Sequence, residues 1–125
     1  MAIKWFDNTT TYPTITLAKY GVTFNIGCLP YLNKGTNSLV FGCDPEQNKV
    51  HIKIRTGGDS GFTVPEITDT TRTIRISCKE FVQYLQVRCG VNLEKAKKYY
   101  ADFDEKENEF VIDLTTPIPS RKQTK

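Results

Sequence analysis

Asp44-Pro45-Glu46-Gln47-Asn48-Lys49-Val50-His51-Ile52-Lys53-Ile54 and Asp104-Glu105-Lys106-Glu107-Asn108-Glu109-Phe110-Val111-Ile112-Asp113-Leu114 are one pattern written twice. In each, an Asp opens the segment, an Asn follows in the same place, and apolar residues then alternate with polar ones. Asp and Asn favour turns because their short side chains bond the nearby backbone and tolerate a left-handed conformation. A period of two belongs to a strand with one buried face. Each stretch therefore predicts a hairpin turn and a returning strand, with Val50, Ile52 and Ile54 sharing one face of the first.

Outward from the hairpins, residues 22–54 and 74–114 repeat one order of elements. In the first copy Val22-Thr23-Phe24 is a strand and Asn25 caps a short helix, Ile26–Leu32, whose Ile26, Leu29 and Leu32 recur at helical spacing. Pro30 weakens that helix, Asn33-Lys34-Gly35 ends it, and Leu39-Val40-Phe41 is the next strand. In the second copy Thr73–Ile76 is a strand, and Ser77 with Glu80 forms a capping box. Phe81, Val82, Leu85 and Cys89 make the buried stripe, Gly90 stops the helix, and Asn92–Lys98 predicts a further helical turn before the hairpin of Tyr99–Phe103 with Glu109–Leu114. Ahead of both copies, Ile15-Thr16-Leu17 is a short strand turned by Lys19-Tyr20-Gly21. Residues 55–72 form a connector with a flexible Thr56–Gly61 loop and a locally packing Phe62, Val64 and Ile67. Residues 1–14 form an arm carrying Ile3, Trp5 and Phe6, and 117–125 a flexible tail behind Pro117 and Pro119. The whole is a β-rich α+β chain.

At 125 residues the chain suits one domain or two interlocked halves. No apolar run approaches the roughly 18–20 residues that span a bilayer, and Met1–Asp7 lacks a signal peptide's apolar stretch, so a cytoplasmic protein without a membrane partner is expected. Cys28, Cys43, Cys78 and Cys89 form no Cys-x-x-Cys pair, and with the single His51 they give no zinc spacing. No metal or cofactor is expected. Cys78 stands at a helix start, where a thiol pKa can fall, but no charged partner in the sequence points at it. Gly-Asp-Ser-Gly at 58–61 is similar to the nucleophile segment of trypsin-like proteases, which need a catalytic His, a buried acid and a much longer chain. Gly57–Gly61 also lacks the Lys-Ser/Thr ending of a phosphate-binding loop. Asp102, Asp104, Glu105, Glu107 and Glu109 lack the spacing of a calcium loop and describe a solvated hairpin tip. With no acid–base–nucleophile set, a non-enzymatic binding protein is expected.

Net charge is +3, too small to mark a nucleic-acid binder by itself. Its distribution is more telling: cations gather at Lys53-Arg55, Arg72-Arg75-Lys79, Lys95-Lys97-Lys98 and Arg121-Lys122-Lys125, and anions in Asp102–Glu109 and Asp113. The molecule should be dipolar, with one acidic edge.

A strand, a capped short helix and a hairpin returning to a strand resembles the swapped-hairpin AbrB-like fold of bacterial transition-state regulators and antitoxins, in which two units interleave their hairpins into one barrel-like body. Lys19-Tyr20-Gly21-Val22-Thr23-Phe24-Asn25, then Leu29, Leu32 and the hairpin through Ile54 carry the resemblance. The second copy matches in order, with an expansion between helix and hairpin. The resemblance implies two AbrB-like units, 15–54 and 73–116, joined as a pseudo-dimeric barrel, each burying the apolar strand faces of the other. It also implies a transcriptional regulator that contacts double-stranded DNA near the first strand and helix start, where this chain offers Lys19, Arg72, Arg75 and Lys79 with Arg55 nearby. The first copy departs from that pattern: no arginine follows Gly21, and Ile26–Leu32 carries no basic residue. The alternative is a protein-interaction module on the same scaffold, an inhibitor or adaptor of phage or mobile-element origin. A closed repeat implies a monomer with internal pseudo-symmetry, and open edges a homodimer through Trp5, Phe6 or Ile15–Leu17.

Overall fold

Both Asp-led stretches are hairpins in the computed structural model, which describes residues 12–32, 37–56 and 61–118. The Asp44 carboxylate accepts the N–H groups of Glu46 and Gln47 at 3.1 and 3.3 Å, and Asp104 does the same for Lys106 and Glu107 at 3.0 and 3.3 Å. Each turn then passes through a left-handed Asn, Asn48 at φ 55° and Asn108 at φ 56°. The first hairpin joins β3 (Asn37–Asp44) to β4 (Lys49–Thr56), the second β7 (Lys97–Asp104) to β8 (Glu109–Asp113). The other strands are β1 (Thr14–Ala18), β2 (Gly21–Phe24), β5 (Phe62–Thr63) and β6 (Ile74–Ser77). Two short helices complete the described residues: α1 (Leu29–Leu32), entered through a 3-10 turn at Ile26–Cys28, and α2 (Lys79–Cys89).

Among the described residues the eight strands form one antiparallel sheet, in the order β5-β3-β4-β8-β7-β1-β2-β6, curled into a nearly closed barrel. The register has an internal two-fold pattern. Along β4 and β8, Lys49 faces Asp113 and Lys53 faces Glu109, with His51 opposite Val111 at the centre. Along β2 and β6, Val22 faces Ile76 and Phe24 faces Ile74, with Thr23 opposite Arg75 at the centre. The pattern extends to the neighbouring strands: β7 pairs with β1 at Tyr99 and Ile15, as β3 pairs with β5 at Leu39 and Phe62. One pairing breaks it. The counterpart of the β1–β2 hairpin would join β5 to β6, and among the described residues no ladder does so.

Inside the barrel the alternating apolar residues meet. Ile15, Leu17, Val22, Phe24, Val50, Ile52, Tyr99, Phe110 and Ile112 are fully buried, and each side chain of that size contributes roughly 1.5–3 kcal/mol. Phe24 and Phe110, from different halves of the chain, touch at 5.9 Å between ring centres. The helices cross over as well. Tyr31 of α1 stacks on Phe103 of β7 at 4.2 Å, and Phe81 of α2 stacks on Phe41 of β3 at 4.9 Å. Each helix therefore lies against the hairpin of the other half.

Several local expectations are corrected. The helix expected over 26–32 divides into a 3-10 turn and a single α turn, and Ile26 faces solvent while Leu29 and Leu32 are buried. Asn25 does not cap it with its side chain. Its Oδ1 accepts the Thr14 N–H at 2.9 Å and its Nδ2 donates to the Tyr12 carbonyl at 3.0 Å, which ties the end of β2 to the start of β1. The Ser77–Glu80 capping box is not formed: Ser77 ends β6 opposite Gly21, and Cys78 takes the N-cap without a side-chain bond. No helical turn occurs over Asn92–Lys98. Leu93 is buried, its N–H is held by the Gln86 side chain at 3.0 Å, and β7 begins at Lys97. The connector is partly strand, since β4 runs to Thr56 and β5 lies at Phe62–Thr63. β1 is no dimerising edge, for it pairs on both sides. Gly90 does end α2, in the left-handed conformation at φ 69°. The expected Asn33–Gly35 helix end, Trp5 and Phe6, most of the 57–61 loop and most of the tail lie outside the described residues.

The close approach of β2 to β6 requires Gly21. Its φ is +154°, and a Cβ there would stand 2.1 Å from the Ile76 carbonyl oxygen. Gly21→Ala is expected to part the two strands and cost on the order of 2–4 kcal/mol, read as a lower urea midpoint; an unchanged midpoint would refute the close approach. At the hairpins, Asn48→Ala should cost roughly 1 kcal/mol from the left-handed backbone. Asn108→Ala should cost about 1 kcal/mol more, because the Asn108 side chain also donates to the Ile54 carbonyl at 2.9 Å. Equal losses at the two sites would remove that difference.

Candidate nucleic-acid interface

The outward face of β7, β1, β2 and β6 is built from the residues between the buried ones. Because Tyr99, Ile15, Leu17, Val22, Phe24, Ile74 and Ile76 point inward, Lys98, Thr16, Thr23 and Arg75 point outward. The register aligns those four in one lateral row, Lys98 opposite Thr16, Thr16 opposite Thr23, and Thr23 opposite Arg75. At about 4.8 Å between strands, the Lys98 and Arg75 backbones stand roughly 14 Å apart along the sheet; of the two threonines between them, Thr23 keeps its Oγ1 buried without a hydrogen-bond partner.

Three sequence-predicted cations meet near one end of this row. Lys19 lies in the β1–β2 turn, Arg75 on β6, and Lys79 opens α2. They are held together because the Cys78 N–H, just after β6, donates to the Tyr20 carbonyl in that turn at 3.1 Å. The Arg75 guanidinium lies 4.6 Å from the centre of the Tyr20 ring, a contact that fixes its direction while leaving its charge exposed. Lys19 reaches Glu94 at 3.1 Å, but both side chains are well exposed, so the pair contributes little and leaves the cation available to a partner.

The remaining two cations are elsewhere. Arg72 is exposed, two residues before β6, at the end of that strand away from Lys79. Arg55 lies on a strand that pairs with neither β2 nor β6. It stands near the end of β4 and lines a cleft of about 260 Å³ with Leu39, Phe41, Phe62 and Phe81. Sequence reasoning missed Lys98 as part of this face, because a helical turn was expected there. The alternation of Lys98, Tyr100 and Asp102 with buried Tyr99 and Ala101 was the available signal.

The same strand runs from basic to acidic. Beyond Tyr100, Asp102 and Asp104 enter a cleft of about 590 Å³ that Tyr12, Tyr31, Phe103 and Glu105 also line. The Tyr12 hydroxyl donates to Asp102 at 3.0 Å, and this bond, with burial second, raises the phenol pKa. His51 meets Glu109 at 2.9 Å on the outer face of β4 and β8. Among the described residues no three His, Cys, Asp or Glu side chains gather in a metal-binding group, and no helix is long and apolar enough to cross a membrane.

The thiols at the helix starts are withdrawn from chemistry. Burial pushes Cys28 up to about 12 and Cys78 up to about 11, against smaller opposing contributions from backbone hydrogen bonds. A helix start does not make Cys78 reactive here. Compared with known proteins, the chain matches no family model, no curated protein and no solved structure.

Because a raised thiol pKa favours the protonated thiol in the folded state, these groups stabilise the fold fully below the ordinary thiol range. That contribution fades as pH rises through about 9 to 12, when the unfolded thiols ionise first. In the native protein at pH 8, iodoacetamide should leave Cys28 and Cys78 unlabelled over hours while denaturant exposes both. Rapid native labelling of either, read by peptide mass, would contradict this burial.

Proposed function

We propose that this protein is a DNA-binding regulator in which two AbrB-like units form one pseudo-dimeric barrel. The architectural half of the reading is supported by the reciprocal register of β4 with β8 and of β2 with β6, the pattern that interleaved hairpins of two units would produce. The functional half rests on one observation: Lys98, Thr16, Thr23 and Arg75 form a lateral row with Lys19 and Lys79 beside it. Cations set out along such a face suit phosphates along a duplex.

The two halves present unequal surfaces to such a ligand. At the centre of the β2–β6 register Arg75 stands opposite Thr23, so only the second half supplies a cation there. The footprint at this register is therefore one-sided. A protein-interaction module is the second reading, favoured by the acidic cleft whose aromatic walls suit a basic partner.

A duplex-binding titration separates the two. With four phosphate contacts, affinity should fall about 10²-fold between 50 and 200 mM salt. Arg75→Glu with Lys79→Glu should weaken binding strongly. No duplex retention at 50 mM salt would overturn the regulator and favour the protein partner.

A further inference from the structure

The two hairpins match in backbone, but the clefts beside them do not. In the alignment that superposes Asp44 on Asp104, Phe41 corresponds to Ala101 and Gly42 to Asp102. Phe41 packs its ring on both Phe62 and Phe81, at 5.2 and 4.9 Å between centres, and the cleft beside it has about 260 Å³. Ala101 brings no ring to the corresponding place, and the cleft there has about 590 Å³, within the roughly 300–1,000 Å³ of ligand sites. Its walls are aromatic: Tyr31 and Phe103 stack at 4.2 Å, and Tyr12 lies edge-on to Tyr100 at 5.3 Å. Asp102, Asp104 and Glu105 line the same space. Among the described residues Lys106 is the one cation that lines it, and it makes no ion pair there.

The carboxylates are held but not neutralised. The Tyr12 hydroxyl donates to one oxygen of Asp102 at 3.0 Å, and the Lys106 and Glu107 N–H groups donate to one oxygen of Asp104 at 3.0 and 3.3 Å. Among the described residues the second oxygen of each accepts no hydrogen bond, and no cation pairs with Asp102, Asp104 or Glu105. We infer that this cleft is a binding site for a guanidinium group, the side chain of an arginine carried by a basic protein partner. A guanidinium is flat and delocalised, so it stacks on a ring while its N–H edge meets carboxylate oxygens. An ammonium has no such face to lay on Tyr31 or Phe103. A metal ion would need ligands converging on one point, and among the described residues no three acidic, His or Cys side chains do so. The inference rests on the second reading above, whose partner it makes specific, and it does not depend on duplex binding.

The test titrates the full chain with acetyl-Gly-Arg-Gly-amide and follows the ring resonances of Tyr12, Tyr31 and Phe103 by NMR. Saturable shifts of these rings are expected. The same peptide with citrulline, a neutral group of nearly the same shape, should bind about tenfold more weakly or not at all, and the lysine peptide should also bind more weakly. Asp102→Asn keeps an acceptor for the Tyr12 hydroxyl and removes only the charge, and it should weaken arginine binding about tenfold. Glu66→Gln, an exposed acid outside the cleft, should leave it unchanged. Ala101→Leu should block the site by filling it; because Ala101 is buried, its melting curve is taken alongside, and Asp102→Asn decides the matter if that variant does not fold. Equal binding of the arginine and citrulline peptides, equal binding of the lysine peptide, or an Asp102→Asn protein that binds as before would overturn the guanidinium site. Because the ring shifts report on this cleft alone, their absence overturns the site, whereas the second reading falls only if no basic protein binds at any surface of the chain.

Discussion

The Ile54 N–H donates to the Asn108 carbonyl at 2.9 Å, and the Leu114 N–H donates to the Asn48 carbonyl at 2.8 Å. These two bonds tie each strand's end to the other hairpin's turn and so lock the register of β4 against β8. A strand slipped by one residue would turn its apolar set outward, expelling Val50, Ile52, Phe110 and Ile112 from the core together. The left-handed Asn at each turn is what aims the two carbonyls. From that register the other placements follow. With β4 and β8 paired at the centre, β3 and β7 fall on opposite flanks, and each helix finds the far hairpin as its support.

Charge is laid over this frame without following its symmetry. The register makes Thr23 and Arg75 partners, yet only one is ionic. Along β7 the outward positions change from Lys98 through Tyr100 to Asp102 and Asp104 within a few residues. Such a strand carries a field gradient along its length that apolar packing neither requires nor opposes. Exposed charges cost the fold little wherever they lie, which leaves the surface of each half free to differ while the core stays matched.

The hairpins were legible because their signal is local. Asp44 and Asp104 bond N–H groups two and three residues ahead, and the strands behind them need only alternate. The errors arose where a distant partner overrode a local preference. Ser77 with Glu80 has the right spacing for a cap, but pairing with Gly21 extends β6 through Ser77 and passes the cap to Cys78. Leu93 and Ala96 permit a helix, yet the Gln86 and Asn92 side chains satisfy the Leu93 and Glu94 N–H groups in an irregular loop. β5 is too short for any periodicity to announce it. Of the five candidate cations, Lys19, Arg75 and Lys79 came together because the turn before β2 bonds the residue after β6, while Arg55 reached its cleft beside Phe81 through a strand order that no local motif encodes.

The absence of a β5–β6 ladder among the described residues also bears on how the molecule opens. β6 is paired along one side, to β2, and the chain reaches it from β5 through 64–73 without regular structure. Amide exchange follows local openings, and these begin where backbone pairing is sparsest. β6 and the first turn of α2 therefore belong to the layer that exchanges before β4 and β8, and Arg75 and Lys79 ride on that layer. A ligand gripping them would clamp the loosest part of the barrel, slowing exchange along β6 and leaving the protected centre unchanged.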